Sequence, residues 1–126
     1  MGQEYLIDTN IVIDSLGNII PEKGKVFLSQ LFPQISVITY IEALGWHKAT
    51  QEYLLKLNEL LNLIPVLQID DSVVQKCVQI RQQKKIGLGD ALIAATALVY
   101  NLTLVTRNTN DFLNIEGLKI LNPWEL

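Results

Sequence analysis

Apolar residues along this chain come in two rhythms, short runs of strand length and longer stretches with helical spacing. Tyr5-Leu6-Ile7 is a short, fully apolar run, the pattern of a strand buried on both faces. Ile35-Ser36-Val37, Val66 to Ile69 and Thr103 to Thr106 read as further strands, with Lys119-Ile120-Leu121 as a short fifth. Between them lie helices. Asn10 is predicted to cap one that carries Ile11, Val12 and Ile13 and ends at Gly17 and Asn18. Pro21 opens a second at its first turn, with Val26, Phe27, Leu28 and Leu31 on one face and Pro33 as the stop. Thr39 is predicted to cap a third, holding Glu42, Ala43 and Leu44 up to Gly45. From Thr50 to Leu61 the pattern puts Tyr53, Leu54, Leu57, Leu60 and Leu61 on one side, and Pro65 closes it. Asp70-Asp71 starts a helix with Val73, Val74, Cys77, Val78 and Ile80 facing inward, ended by Gly87 after Lys84-Lys85. GLGDALIAATALVYN reads as a buried helix whose single charge, Asp90, lies in its first turn, with Asn101 as a left-handed cap. Residues 107–112 form a polar loop ending in Asp111-Phe112.

Strands alternating with helices predict an α/β domain with a parallel sheet and right-handed crossovers. No internal repeat, low-complexity tract or linker interrupts the pattern, so residues 1–126 read as a single domain. In such sheets function gathers at the carboxyl ends of the strands.

Composition narrows the class. With 49% hydrophobic and 18% charged residues, 126 residues can bury a core. No apolar run reaches the ~18–20 residues of a membrane span. Met1-Gly2-Gln3-Glu4 lacks the basic start of a secretory leader, which makes a cytoplasmic location the expectation. The lone Cys77 excludes an internal disulfide and reads as core. His47, the single histidine, reads as a surface residue. A net charge of −3 and a pI near 5.0 argue against a simple basic nucleic-acid binder. They do not exclude an enzyme whose clustered carboxylates bind divalent cations, and the charge balance alone does not choose between the two.

The carboxylates give that idea a place. Asp8 ends the first strand, Glu42 lies in the helix after the second, Asp90 opens the helix before the fourth, and Asp111 lies in the loop after it. Taken singly, each has an ordinary reading: Asp8 as a cap, Asp90 as a residue favoured by the helix dipole, Glu42 and Asp111 as surface acids. Together they fall at one edge of a parallel sheet, where they repel unless some are protonated or a cation holds them. Oxygen-only ligands without a Cys/His cluster favour Mg²⁺ or Mn²⁺ over zinc. Arg107 beside the site, and Arg81, Lys84 and Lys85 ahead of Asp90, are the candidate phosphate-binding residues; the last three read equally as a solvated helix end. The Leu-rich stretch from Leu54 to Leu63, with Trp46 and Tyr40, reads either as a partner surface or as a wider core groove.

With LIDTNIVID at 6–14, SVITYIEALGW at 36–46, GLGDALIAATA at 87–97, LVTRNTNDF at 104–112 and the tail ILNPWEL in order, the sequence resembles the PIN-domain family, nearest to the VapC-like ribonuclease toxins of toxin–antitoxin pairs. The resemblance implies a five-stranded parallel sheet in the order 3-2-1-4-5 flanked by helices. It implies Mg²⁺- or Mn²⁺-dependent endonuclease activity on structured RNA such as transfer RNA, with 5′-phosphate and 3′-hydroxyl products. Asp8, Glu42, Asp90 and Asp111 match the family's four acids, and Thr106 and Asn108 match polar positions that order the site. Many relatives carry an acid where Asn108 stands. The resemblance further implies a homodimer and a small antitoxin protein that covers the site. A catalytically silent PIN-like module that binds RNA or protein is the alternative. A receiver domain or an aspartate-nucleophile phosphatase fits less well: Asn10 stands where the phosphatase needs a second aspartate, and Lys119 starts the last strand rather than ending it.

Overall fold

The computed structural model describes residues 4–126; residues 1–3, on which the reading of a missing leader largely rests, lie outside the described residues. The chain runs β1 (Tyr5–Ile7), α1 (Thr9–Leu16), α2 (Glu22–Ser29), β2 (Ile35–Ser36), α3 (Val37–Leu44), α4 (Gln51–Leu61), β3 (Val66–Leu67), α5 (Asp71–Gln83), α6 (Leu88–Val99), β4 (Thr103–Val105) and β5 (Ile120–Leu121). Single 3₁₀ turns occupy Thr109–Phe112 and Pro123–Glu125. Every strand pairing is parallel: Leu6 faces Leu104, Leu104 faces Ile120, and Ile35 faces Val66. A parallel bridge between Leu6 and Gln34 joins the two halves. There the Ile7 N–H donates to the Gln34 carbonyl at 3.0 Å and the Gln34 N–H to the Tyr5 carbonyl at 2.9 Å. The strand order is therefore 3-2-1-4-5, the order the family resemblance implies.

The central strands β1 and β4 are mostly apolar because both faces are covered. Leu6 and Leu104 turn toward α5 and α6, where Val73, Cys77, Ile80, Ile93 and Phe112 complete one core. Ile7 and Val105 turn the other way, onto Ile11, Val12, Tyr53 and Leu57 of α1 and α4. Period-two alternation thus feeds two hydrophobic layers.

Local chemistry moved several boundaries. Asp8, not Asn10, caps α1, because its side chain reaches the Thr9 N–H while its own backbone is still extended. Ser36, not Thr39, caps α3: its hydroxyl accepts from the Ile38 N–H at 3.1 Å, and Val37 is already helical. Helix α5 stops at Gln83, where Lys84 turns extended, and Gly87 instead starts α6. Val74 and Val78 are 45% and 51% exposed rather than inward. Val73, Cys77 and Ile80, spaced by four and three, already fill the core stripe of α5, and the next residue along lies about 100° off it. Asn101 adopts the left-handed conformation expected of it, with φ 55°.

Candidate active site

The site is built where β1 and β4 end side by side. The Asp8 N–H continues the ladder to the Val105 carbonyl at 3.0 Å, which places its side chain at the carboxyl edge of the sheet. Asp8 is only 4% exposed. One carboxylate oxygen accepts from the Thr9 N–H at 2.7 Å, and the other from the Thr106 hydroxyl at 2.8 Å. Capping and chemistry are therefore not alternatives for Asp8: one oxygen serves the helix and the other ties β1 to β4. The Thr106 hydroxyl in turn accepts from the Asn108 N–H at 3.1 Å, fixing the start of the loop that carries Asp111. That loop closes through the Asp111 N–H on the Asn108 carbonyl and through buried Phe112.

Glu42 reaches the site from α3. Its Oε1 accepts from the Thr9 hydroxyl at 2.6 Å, and Thr9 Oγ1 also lies 3.1 Å from Thr39 Oγ1. Asp90 arrives in the first turn of α6.

Electrostatics joins the four. Burial pushes Asp8 above the usual carboxylate range, against the hydrogen bonds from Thr106 and Thr9, and the charges of Glu42 and Asp111 push it further. Asp90 is pushed up to about 6, first by burial and then by the charges of Asp8, Asp111 and Glu42. Among the described residues no basic side chain forms an ion pair with any of these acids. The site is short of positive charge. Carboxylate oxygens are hard donors suited to Mg²⁺ or Mn²⁺, so the donor set fits such an ion. Among the described residues no three of these groups stand together as a finished cage. The fit lies in donor type and charge, and the exposed side chain of Asp111 supplies an adjustable arm.

The candidate phosphate-binding residues are scattered. Lys84 donates to the Leu113 carbonyl at 2.7 Å and so pins the Asp111 loop from α5. Arg107 lies over Trp124, its guanidinium carbon 4.3 Å from the ring centroid, and its charge also acts on Asp14. Arg81 and Lys85 are exposed at the end of α5. Sequence reading missed Thr9, the role of Thr39, and Trp124. The available signal was a hydroxyl residue directly after a strand-ending aspartate, and a Thr–Glu pair three apart on one helix face.

Residues 5–118 match the family model of the PIN domain. Over 42 residues the chain is 48% identical to VapC ribonuclease Y4jK of Sinorhizobium fredii, a match covering 33% of this chain and 29% of that protein. Over 41 residues it is 46% identical to Ribonuclease VapC of Rickettsia bellii, covering 32% and 31%. The match thus spans less than a third of these curated relatives' length. Whole-chain likeness comes from solved structures. A toxin-antitoxin complex from Klebsiella pneumoniae is 34% identical with a TM-score of 0.78, over 98% of this chain and 100% of that one. A DNA-bound VapBC from Salmonella typhimurium is 26% identical with a TM-score of 0.84, over 97% and 99%. With a parallel 3-2-1-4-5 sheet, four acids at its carboxyl edge and a family model matching nearly its whole length, the chain belongs to the PIN-domain family.

Proposed function

We propose that the chain is a Mg²⁺- or Mn²⁺-dependent endoribonuclease of the cytoplasm, the toxin of a VapBC-type toxin–antitoxin module. The observation that carries the reading is the quartet Asp8, Glu42, Asp90 and Asp111, in which burial first and then the charges of the other three raise Asp90 to about 6, with no basic side chain paired to any of them among the described residues. The four acids would hold a divalent cation, which would supply the missing charge, the means to activate water and the charge to offset the phosphate oxygens. The protein's own part is preorganisation. Asp8 is held by Thr9 and Thr106, Glu42 is held by Thr9, and the Asp111 loop is tied to Asp8 through Asn108 and Thr106. Arg107, steadied on Trp124, and Arg81, Lys84 and Lys85 would meet the RNA backbone. Structured RNA such as transfer RNA is the substrate class, with 5′-phosphate and 3′-hydroxyl products. A homodimer and an antitoxin protein are the proposed partners, a reading supported by the toxin–antitoxin complexes among the structural relatives.

The second reading is a PIN-like module that binds without cutting, favoured by the lack of a finished cage among the described residues. One experiment separates the two. The purified chain is incubated with pooled transfer and ribosomal RNA plus Mn²⁺ or Mg²⁺, with and without chelator, beside Asp8→Asn and Asp90→Asn. Discrete fragments that need metal, and fall by about 100-fold or more in both folded variants, are expected, a larger loss than an outer-shell change usually brings. Full cleavage by both variants would remove the site. No cleavage by the wild type would favour the binding module.

A further inference from the structure

Glu42 differs from the other three acids in how it is held. It lies on the exposed side of α3, yet one carboxylate oxygen is hydrogen-bonded and the other lies close against α6. One oxygen accepts the Thr9 hydroxyl at 2.6 Å. The other lies so close to α6 that a Cβ on Gly89 would meet it at 3.2 Å, tighter than an ordinary contact. Thr9 Oγ1 also sits 3.1 Å from Thr39 Oγ1, and Thr39 is fully buried.

Proton counting gives this cluster a direction. A hydroxyl has one proton and an ionised carboxylate has none. The Thr9 proton must therefore lie on the short contact to Glu42. The Thr39 contact must then carry the Thr39 proton onto the Thr9 oxygen. The result is a one-way chain, Thr39 to Thr9 to Glu42, in which each hydrogen bond polarises the next. Gly89 clears the far side, and the first turn of α6, which Gly87 leaves without a side-chain cap, favours the negative charge beside it.

We infer that Thr39, Thr9 and Gly89 are positioning residues that hold the Glu42 carboxylate in one orientation at the acid site, through a directed hydroxyl relay on one side and a missing side chain on the other. The inference rests on the metal-dependent reading, and its test does not depend on cleavage. Mn²⁺ affinity is measured without RNA by calorimetry, and melting temperature is measured in chelator, for the wild type, Thr9→Val, Thr9→Ser, Thr39→Val, Gly89→Ala, Glu42→Gln and the double variant Thr9→Val/Glu42→Gln.

Thr9→Val is expected to weaken Mn²⁺ binding by about 10-fold or more, the usual loss on removing an outer-shell partner, and Thr9→Ser to restore it. Thr39→Val should weaken it less, because Thr9 keeps its bond to Glu42. Gly89→Ala should weaken it while leaving the melting temperature level or higher, since alanine favours the helix. That split would not arise if Gly89 mattered only for packing. The Thr9 and Glu42 changes should be non-additive in melting. Mn²⁺ affinity unchanged in both Thr9→Val and Gly89→Ala, or additive melting effects, would overturn the relay. A wild type that bound no Mn²⁺ but kept the Thr9–Glu42 coupling would support the relay and overturn the metal reading instead.

Discussion

Asp90 carries much of the electrostatic cost of the acid quartet. Its pKa rises from 3.8 to about 6 in the folded chain, through burial and then through Asp8, Asp111 and Glu42. Between those two values the folded state holds the more protons, so stability falls as pH rises through the window. Well below 3.8 the group is neutral in both states and costs nothing; above about 6 its full cost is present. In chelator, Asp90→Asn should therefore match or trail the wild type in melting temperature near pH 4 and gain on it steadily up to about pH 6. A pH-independent difference would refute the raised pKa. Mn²⁺ should close the gap by stabilising only the wild type. A residue that destabilises the empty fold is the expected mark of a functional position. The sequence made all four acids visible, because each sits just after a strand or in the first turn of the buried helix α6. It did not show what holds them: the bonds from Thr106 to Asp8 and from Thr9 to Glu42 span 98 and 33 residues, and no local pattern records a contact at that range.

At the scale of elements, the strands and helices were legible because apolar runs and helical stripes repeat with different periods. Caps were less so. Asn10 and Thr39 are good capping residues by type, but Asp8 and Ser36 stand nearer the strand ends, and these strands are only three and two residues long. A short strand hands its last polar side chain directly to the following helix. Helix α5 shows the other limit. Five apolar residues suggested one broad inward face, yet Val74 and Val78 look outward. Its neighbour α6 leaves no room for more, since Ala91, Ala94, Ala95 and Ala97 are all fully buried and let the two helices approach closely. Ala94→Leu should overpack this seam and cost about 1–3 kcal/mol in urea denaturation. Val78→Ser should stay within about 0.5 kcal/mol. Equal costs would mean that the seam is looser, or the outer face of α5 more committed, than this packing allows.

Across the whole molecule, a parallel sheet gives its two edges different work. Every strand points its carboxyl end the same way, so Asp8, the start of α3 and the Asp111 loop gather at one edge. The opposite edge receives the loops that enter the strands. Phe32 and Leu63 each lie three residues ahead of the paired residues Ile35 and Val66, and they are 95% and 81% exposed. Two large apolar side chains at that edge are remote from the acids and absent from both cores. Substitutions so far from the site should act independently of it. Phe32→Ser with Leu63→Ser is therefore expected to keep the RNA cleavage rate within about twofold of wild type and the unfolding free energy within about 0.5 kcal/mol. Self-association, read by light scattering across a concentration series, should fall, since exposed apolar surface drives it. A cleavage rate that dropped about tenfold while the fold stayed intact would show the two edges to be coupled. The acid edge could then no longer be treated as a site complete in itself.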